Sequence, residues 1–324
     1  MVNFSVLPSV VLVRVLAVLI LLTLRLSAAA QAPAWQSAQT VAVAIAAAPG
    51  GSSAVQATAV DAAGNVYLAG YFTNTVVLGT TTLTSLGSYD IFVAKFSPIS
   101  NQFVWAQRAG GTGGDLAFAL AVSGTSVYIA GNIHSPTVNF GSTTIASPGS
   151  TSSGFVAKLE EAGNTGNFIW GQPIGSTNDV TVKTLAASGT SVYVAGGFAG
   201  TTASFGAITL TNFDTSGSYS EDGFVAKLTD AGSTSSFVWA QQVGGVRSDR
   251  ANALAVSGGS VYVGGGFDSL TASFGAITLN NTPSSVALFG DVFVAKLLDA
   301  GSTSSFVWAK RAGGLGGKAL PHWR

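Results

Sequence analysis

The 324-residue sequence has no cysteine, two histidines, one methionine and a charged fraction of only 9%. Without cysteine there can be no disulfide staple and no thiolate zinc site, and His134 and His322 stand alone. A Ser-His-Asp triad therefore has almost no material to draw on. The formal net charge is zero, which supplies no basic face for a nucleic acid. The longest apolar run, residues 15–24 (VLAVLILLTL), is ten residues, too short to cross ~30 Å of hydrocarbon. Disorder is also excluded, because 47% of the residues are hydrophobic and regularly placed Val, Ile and Phe give ample apolar surface for a core.

The N-terminus has the layout of an export signal: Arg14, the ten-residue apolar core, then Ala28-Ala29-Ala30. The expected signal peptide is 1–30, leaving a secreted or cell-surface mature chain with no membrane span. An uncleaved anchor is the alternative, since Arg25 directly follows the apolar run. Removing the signal lowers Lys+Arg from 14 to 12 and leaves Asp+Glu at 14.

What the chain has in abundance is repetition. Trp105, Trp170, Trp239 and Trp308 recur at spacings of 65, 69 and 69 residues, with a weaker copy at Trp35. A fixed period of this length marks a tandem array. It also argues against catalysis, because a catalytic site is rarely copied four times. Each unit carries short segments rich in β-branched and aromatic residues, bounded by Gly, Ser, Asn or Asp. In the second unit these are Asp115–Val122, Ser126–Gly131, Thr137–Ile145, Gly154–Leu159 and Asn167–Gly171. That is strand-and-turn punctuation, and no 3.6-residue stripe persists. Ser-Gly turns before Val-Tyr predict a hairpin. The Phe-Gly elements at Phe140, Phe205 and Phe274 predict a further small hairpin between the Tyr strand and the Phe-Val-Ala-Lys strand. Alternation in that last strand places Phe and Ala on one face and Val and Lys on the other.

Four strands per unit predict an all-β chain, a β-propeller of four-stranded antiparallel blades: about four complete blades plus partial units in a ring that need not close. An outer-membrane barrel and a parallel solenoid are the alternatives, disfavoured by short strands and by the long period. The motifs Asp-x-Ala-x-Ala-Leu-Ala-Val, Gly-x-x-Val-Tyr-x-Ala-Gly, Phe-Val-Ala-Lys-Leu and Trp-Ala-x-x-x-Gly-Gly resemble the repeat of secreted bacterial β-propeller proteins, over residues 35–315. The resemblance implies a secreted or surface-attached binding scaffold without an assigned reaction. The repeat domain is expected over 31–315, with units at about 35–105, 106–170, 171–239 and 240–308. Residues 316–324 form an irregular tail.

The repeat positions predict packing roles for Trp105, Trp170, Trp239 and Trp308, for Tyr67, Tyr128, Tyr193 and Tyr262, and for Phe92, Phe155, Phe224 and Phe293. Asp115, Asp179 and Asp249 occupy equivalent places before the Tyr hairpin. They are weak candidates for metal ligands, weaker than turn-capping acceptors, because calcium loops cluster their oxygens within a dozen residues. Lys95/Asp90 and Lys296/Asp291 read as solvated edge charges, and Glu160-Glu161 and Glu221-Asp222 as isolated pairs. No catalytic residue, cofactor or metal is assigned. The units are near copies (Ala231–Ala240 repeats at Ala300–Ala309), so specificity is expected in the variable loops 147–153, 212–222 and 280–290. The expected function is non-enzymatic adhesion, or binding of a protein or glycan by a monomer. A secreted polysaccharide-acting hydrolase or lyase and a purely structural spacer are the competing classes.

Overall fold

The computed structural model describes residues 51–148, 151–216, 219–281 and 290–313, all within one compact unit spanning Ala42–Arg324. The signal segment, Trp35, the tail 316–324 and parts of all three variable loops lie outside the described residues. The described chain is all-β and antiparallel, with no helix.

The strands repeat in groups of six. Unit 1 holds β1 (Ser53–Val60), β2 (Val66–Phe72), β3 (Thr75–Leu78), β4 (Thr81–Thr84), β5 (Asp90–Ser97) and β6 (Gln102–Gly110). Unit 2 holds β7 (Asp115–Ser123), β8 (Ser126–Ile133), β9 (Thr137–Phe140), β10 (Thr143–Ala146), β11 (Ser153–Ala162) and β12 (Thr165–Ser176). Unit 3 holds β13 (Val180–Ser188), β14 (Ser191–Ala199), β15 (Thr202–Phe205), β16 (Ile208–Thr211), β17 (Glu221–Asp230) and β18 (Ser235–Gly244). Unit 4 holds β19 (Asp249–Ser257), β20 (Ser260–Phe267), β21 (Thr271–Phe274), β22 (Ile277–Asn280), β23 (Asp291–Asp299) and β24 (Ser304–Ala312).

Within each unit the four long strands run as a meander, β1-β2-β5-β6 and its equivalents, and the two short strands form a hairpin. That hairpin stands between the Tyr strand and the Phe-Val-Ala-Lys strand, with a left-handed glycine at its turn in every unit: Gly79, Gly141, Gly206 and Gly275. In three units it pairs with the last strand of the unit before. Ala109 lies opposite Phe140, Ile174 opposite Phe205 and Val243 opposite Phe274. Each of these three hairpins thus works as a latch, extending the preceding sheet to six strands and tying neighbouring units by main-chain bonds, while β3-β4 stands as a two-stranded sheet of its own.

Side-chain alternation then gives every unit two apolar faces. Val93, Trp105 and Tyr67 of unit 1 share a core with Val127, Ile129, Phe155 and Leu159 of unit 2. The same exchange joins units 2 and 3, and units 3 and 4. The first strands follow one another in space, β1 beside β7, β7 beside β13, and β13 beside β19.

Candidate functional site

The most polar feature of the core lies at each junction. Within a unit, Tyr, Lys and Trp come from three adjacent strands. In unit 2, Lys158 lies opposite Tyr128 on one side and Trp170 on the other, so all three point from the same face. A bulge follows the lysine in every unit, as between Lys158 and Leu159. The three donors converge on one carboxylate, and that carboxylate belongs to the next unit.

Glu161 of unit 2 accepts from Tyr67 Oη (2.8 Å), Trp105 Nε1 (2.8 Å) and Lys95 Nζ (2.9 Å). Asp230 of unit 3 accepts from Tyr128 Oη (2.7 Å), Trp170 Nε1 (3.0 Å) and Lys158 Nζ (2.8 Å). Asp299 of unit 4 accepts from Tyr193 Oη (2.6 Å), Trp239 Nε1 (3.1 Å) and Lys227 Nζ (2.6 Å). Burial by itself would raise the pKa of Asp230 and Asp299. The Lys, Tyr and Trp donors outweigh it and hold both carboxyls below their ordinary value. Burial first, and then the hydrogen bond to Asp299, push the Tyr193 phenol up to about 12.

These junctions correct two expectations. Lys95 and Asp90 are not solvated edge charges: Asp90 is fully buried and pairs with Arg108, while Lys95 closes on Glu161. Their strand β5 lies between β2 and β6, so neither of its edges is free. Asp291 is likewise buried and paired with Arg311, whereas Lys296 remains part-exposed. Glu160-Glu161 and Glu221-Asp222 are not isolated pairs either. Glu161 is a clamp, Glu221 pairs with Arg250, and Asp222 is buried.

Trp105, Trp170 and Trp239 are each 4% exposed, with their indole nitrogens in the clamps, while Trp308 is less covered. Tyr67, Tyr128, Tyr193 and all four repeat phenylalanines are buried, and Tyr262 is intermediate. Among the metal candidates, Asp115 accepts from the N–H groups of Gly111, His134 and Ser135 and from Ser135 Oγ. Asp249 does the same with Gly245 and Ser269. Asp179 departs from the pattern and receives the Thr151 hydroxyl. These are turn-capping acids. Among the described residues, no three His, Cys, Asp or Glu side chains are placed to hold a metal ion.

Two open recesses lie where the loops between units meet. One, of about 320 Å³, separates units 2 and 3 and is bordered by Phe118, His134, Ser152, Asp179, Lys183 and Glu221. His134 is exposed, its Nδ1 against the Gly114 carbonyl at 2.7 Å. The other, of about 540 Å³, separates units 3 and 4 and is bordered by Asp214, Tyr219, Ser220, Val246, Arg247, Ser248 and Asp268. Tyr219 is 77% exposed, and Asp214 is fixed by bonds from the Ser216 N–H and the Ser220 hydroxyl. Burial raises the pKa of Asp268, with Arg250 and Arg247 opposing it.

No family model and no curated protein matches this chain.

Beneath the second recess lies a carboxylate pair that the sequence pattern did not suggest. A Cβ placed on Gly244 would come within 2.5 Å of Asp222 Oδ1 and 2.9 Å of Asp249 Oδ2, so the two acids meet at that glycine. Asp222 is fully buried; it accepts from the Phe213 N–H and from Gln242, and its Oδ1 has no hydrogen-bond partner. Burial, with Asp249 and Asp214 nearby, pushes its pKa up to about 7. Asp249 is also raised, chiefly by burial.

An acid with a raised folded-state pKa stabilises most below its unfolded value, near 3.8, and loses that contribution as pH rises through 7. Asp222→Asn keeps the acceptor for Phe213 and removes the charge. It is expected to melt at least about 3 °C above the parent at pH 8, with the gain vanishing near pH 4. Melting curves for both proteins at the two pH values check this. A gain of equal size at both would show that the buried charge is not its cause.

Proposed function

We propose that the protein is an exported, non-enzymatic β-propeller whose blades are the four units and whose inter-unit rim binds a glycan. The meander units, the sequential first strands and the latch hairpins support the propeller reading. Export rests on the N-terminal layout of charge, apolar core and small residues.

The recess between units 3 and 4 carries the binding reading. It sets an exposed tyrosine ring beside Asp214, Asp268, Arg247 and two serines, the mixture of apolar platform and hydrogen-bonding groups that suits a sugar. Part of it comes from the variable loop 212–222, where the units differ most. The acids Asp222 and Asp249 are buried and do not border the recess, which offers no support for the hydrolase alternative.

On a glycan array, Tyr219→Ala is expected to lower binding about tenfold or more, the loss of one well-placed stacking ring with its desolvated surroundings. Binding unchanged by this substitution would remove the rim from consideration. Turnover of any array glycan, abolished by replacing one acid, would replace the scaffold reading with a hydrolytic one.

A further inference from the structure

Three of the four Tyr–Lys–Trp sets close on a carboxylate. The fourth, Tyr262, Lys296 and Trp308 in unit 4, faces none among the described residues. Its geometry is nonetheless the same. The Tyr262 and Trp308 rings are 6.4 Å apart, against 6.0 to 6.2 Å in the other sets, and Lys296 Nζ stands 5.7 Å over the Tyr262 ring. Lys296 also lies opposite both aromatics in the sheet. The donors are assembled before any acceptor arrives.

The surrounding surface carries the same asymmetry. Val294 is 45% exposed, whereas its equivalents Val93, Val156 and Val225 are fully buried under the next unit. Gln172 and Gln241 each donate to a carbonyl of the following unit, at Ser235 and Ser304. The equivalent position in unit 4 is Lys310, exposed and adding a second cation to the face. β24 is the edge strand of its sheet, with no latch hairpin on it among the described residues. Apolar cover, an acidic group and a pairing strand are what each earlier unit receives from its successor.

We propose that this face of unit 4 is a docking surface for a further β-unit, one in which the Leu of Phe-Val-Ala-Lys-Leu is followed two residues later by Asp or Glu. That offset defines the acceptors in this chain: Leu159 and Glu161, Leu228 and Asp230, Leu297 and Asp299. The chain's own unit 1 does not meet it. Phe96 is followed at that offset by Pro98, so a second copy stacked head to tail would bring no carboxylate to Lys296. The occupant is therefore an acid-bearing unit other than unit 1, and its recognition is electrostatic as well as apolar.

The test uses the full chain with its own residues 245–313 inserted a second time after Gly313, which keeps the repeat register and carries a copy of Asp299. Amide exchange in β20 and β24 should slow at least about tenfold, and chemical labelling of the Lys296 amine should fall toward that of Lys158 and Lys227. Changing only the copied Asp299 to Ala, or Lys296→Ala in the extended chain, should remove most of the added protection while the inserted unit stays folded by circular dichroism. Unprotected β24 in a folded insert would overturn the proposal, as would protection indifferent to both substitutions. Sedimentation of the unmodified chain provides the remaining arm. Self-association abolished by Lys296→Ala would show that a second copy is the occupant, and would overturn it as well.

Discussion

Asp230→Ala is expected to destabilise the protein by about 3–5 kcal/mol, the cost of stranding one partner of a buried, hydrogen-bonded ion pair. Asp230 is only 7% exposed and its carboxylate accepts three side-chain donors of unit 2 along with the Gly232 N–H of its own turn. Truncation leaves the Lys158 ammonium, 6% exposed, with the more exposed Glu160 carboxylate and a long bond to the Gly232 carbonyl. It also leaves two buried donors, Tyr128 and Trp170, without acceptors. The loss falls at the central junction, between units 2 and 3. In a tandem array, stability is close to a sum of unit and neighbour contributions, so weakening that junction should split unfolding into two transitions. Denaturant melts followed by tryptophan emission and by circular dichroism will show this. A single transition at the parent midpoint would mean that the clamp contributes nothing net.

The pH dependence of that difference follows from the lowered pKa of Asp230. A carboxylate whose folded pKa is depressed contributes stability above its unfolded value, and the contribution is lost as pH falls through the folded value. The gap between parent and Asp230→Ala should therefore be full at pH 7 and shrink as the pH falls below about 4. Asp222, deep at the next junction, runs in the opposite direction because burial, with Asp249 and Asp214 nearby, outweighs the Phe213 and Gln242 donors. Two buried aspartates in neighbouring interfaces thus oppose each other in acid.

Much of this architecture was legible in the chain. The tryptophan period, Gly-bounded strands and the Phe-Gly element were enough to place four meanders and their small hairpins. The clamps were not legible, because each unites three strands of one unit with a residue some 56 to 106 positions further on. A signal was nevertheless present. An acid two residues past the Leu recurs in units 2, 3 and 4, and Pro98 breaks the series in unit 1. Periodicity assigned Lys95 to the correct face but could not tell that the face would be covered, so the residue read as a solvated charge. The Tyr219 recess was only half legible. Loop variability pointed to the region, while the exposed ring and its neighbouring acids depend on how two loops meet.

The glycine ending each Val-Tyr-x-(Ala/Gly)-Gly motif supports a second large expected loss, at Gly131. Its backbone is ordinary extended strand, so left-handed freedom is not what it provides. Across from it the first strand bulges, with a register shift between Ala117 and Ala119, and the Leu116 carbonyl turns toward Gly131. A Cβ there would lie 2.0 Å from that oxygen and 2.8 Å from Ala117 Cα. Both are backbone atoms that no rotamer change can move, so β7 would have to withdraw from β8, and with it from β1 and β13 on either side. Gly131→Ala should cost at least about 3 kcal/mol, the upper range for overpacking. Gly124→Ala is the discriminating comparison, since Gly124 has φ +63° and no heavy atom within 4 Å of its Cβ position. It should cost only about 1–2 kcal/mol for the left-handed backbone. Equal losses for the two variants in denaturant titrations would defeat the close-approach account. The same approach recurs at Gly70, Gly196 and Gly265, where a Cβ would lie 1.9 to 2.0 Å from the facing carbonyl oxygen and each facing strand carries a bulge. The motif glycine is thus fixed by the bulge opposite it, and the two features must be kept or lost together in every unit.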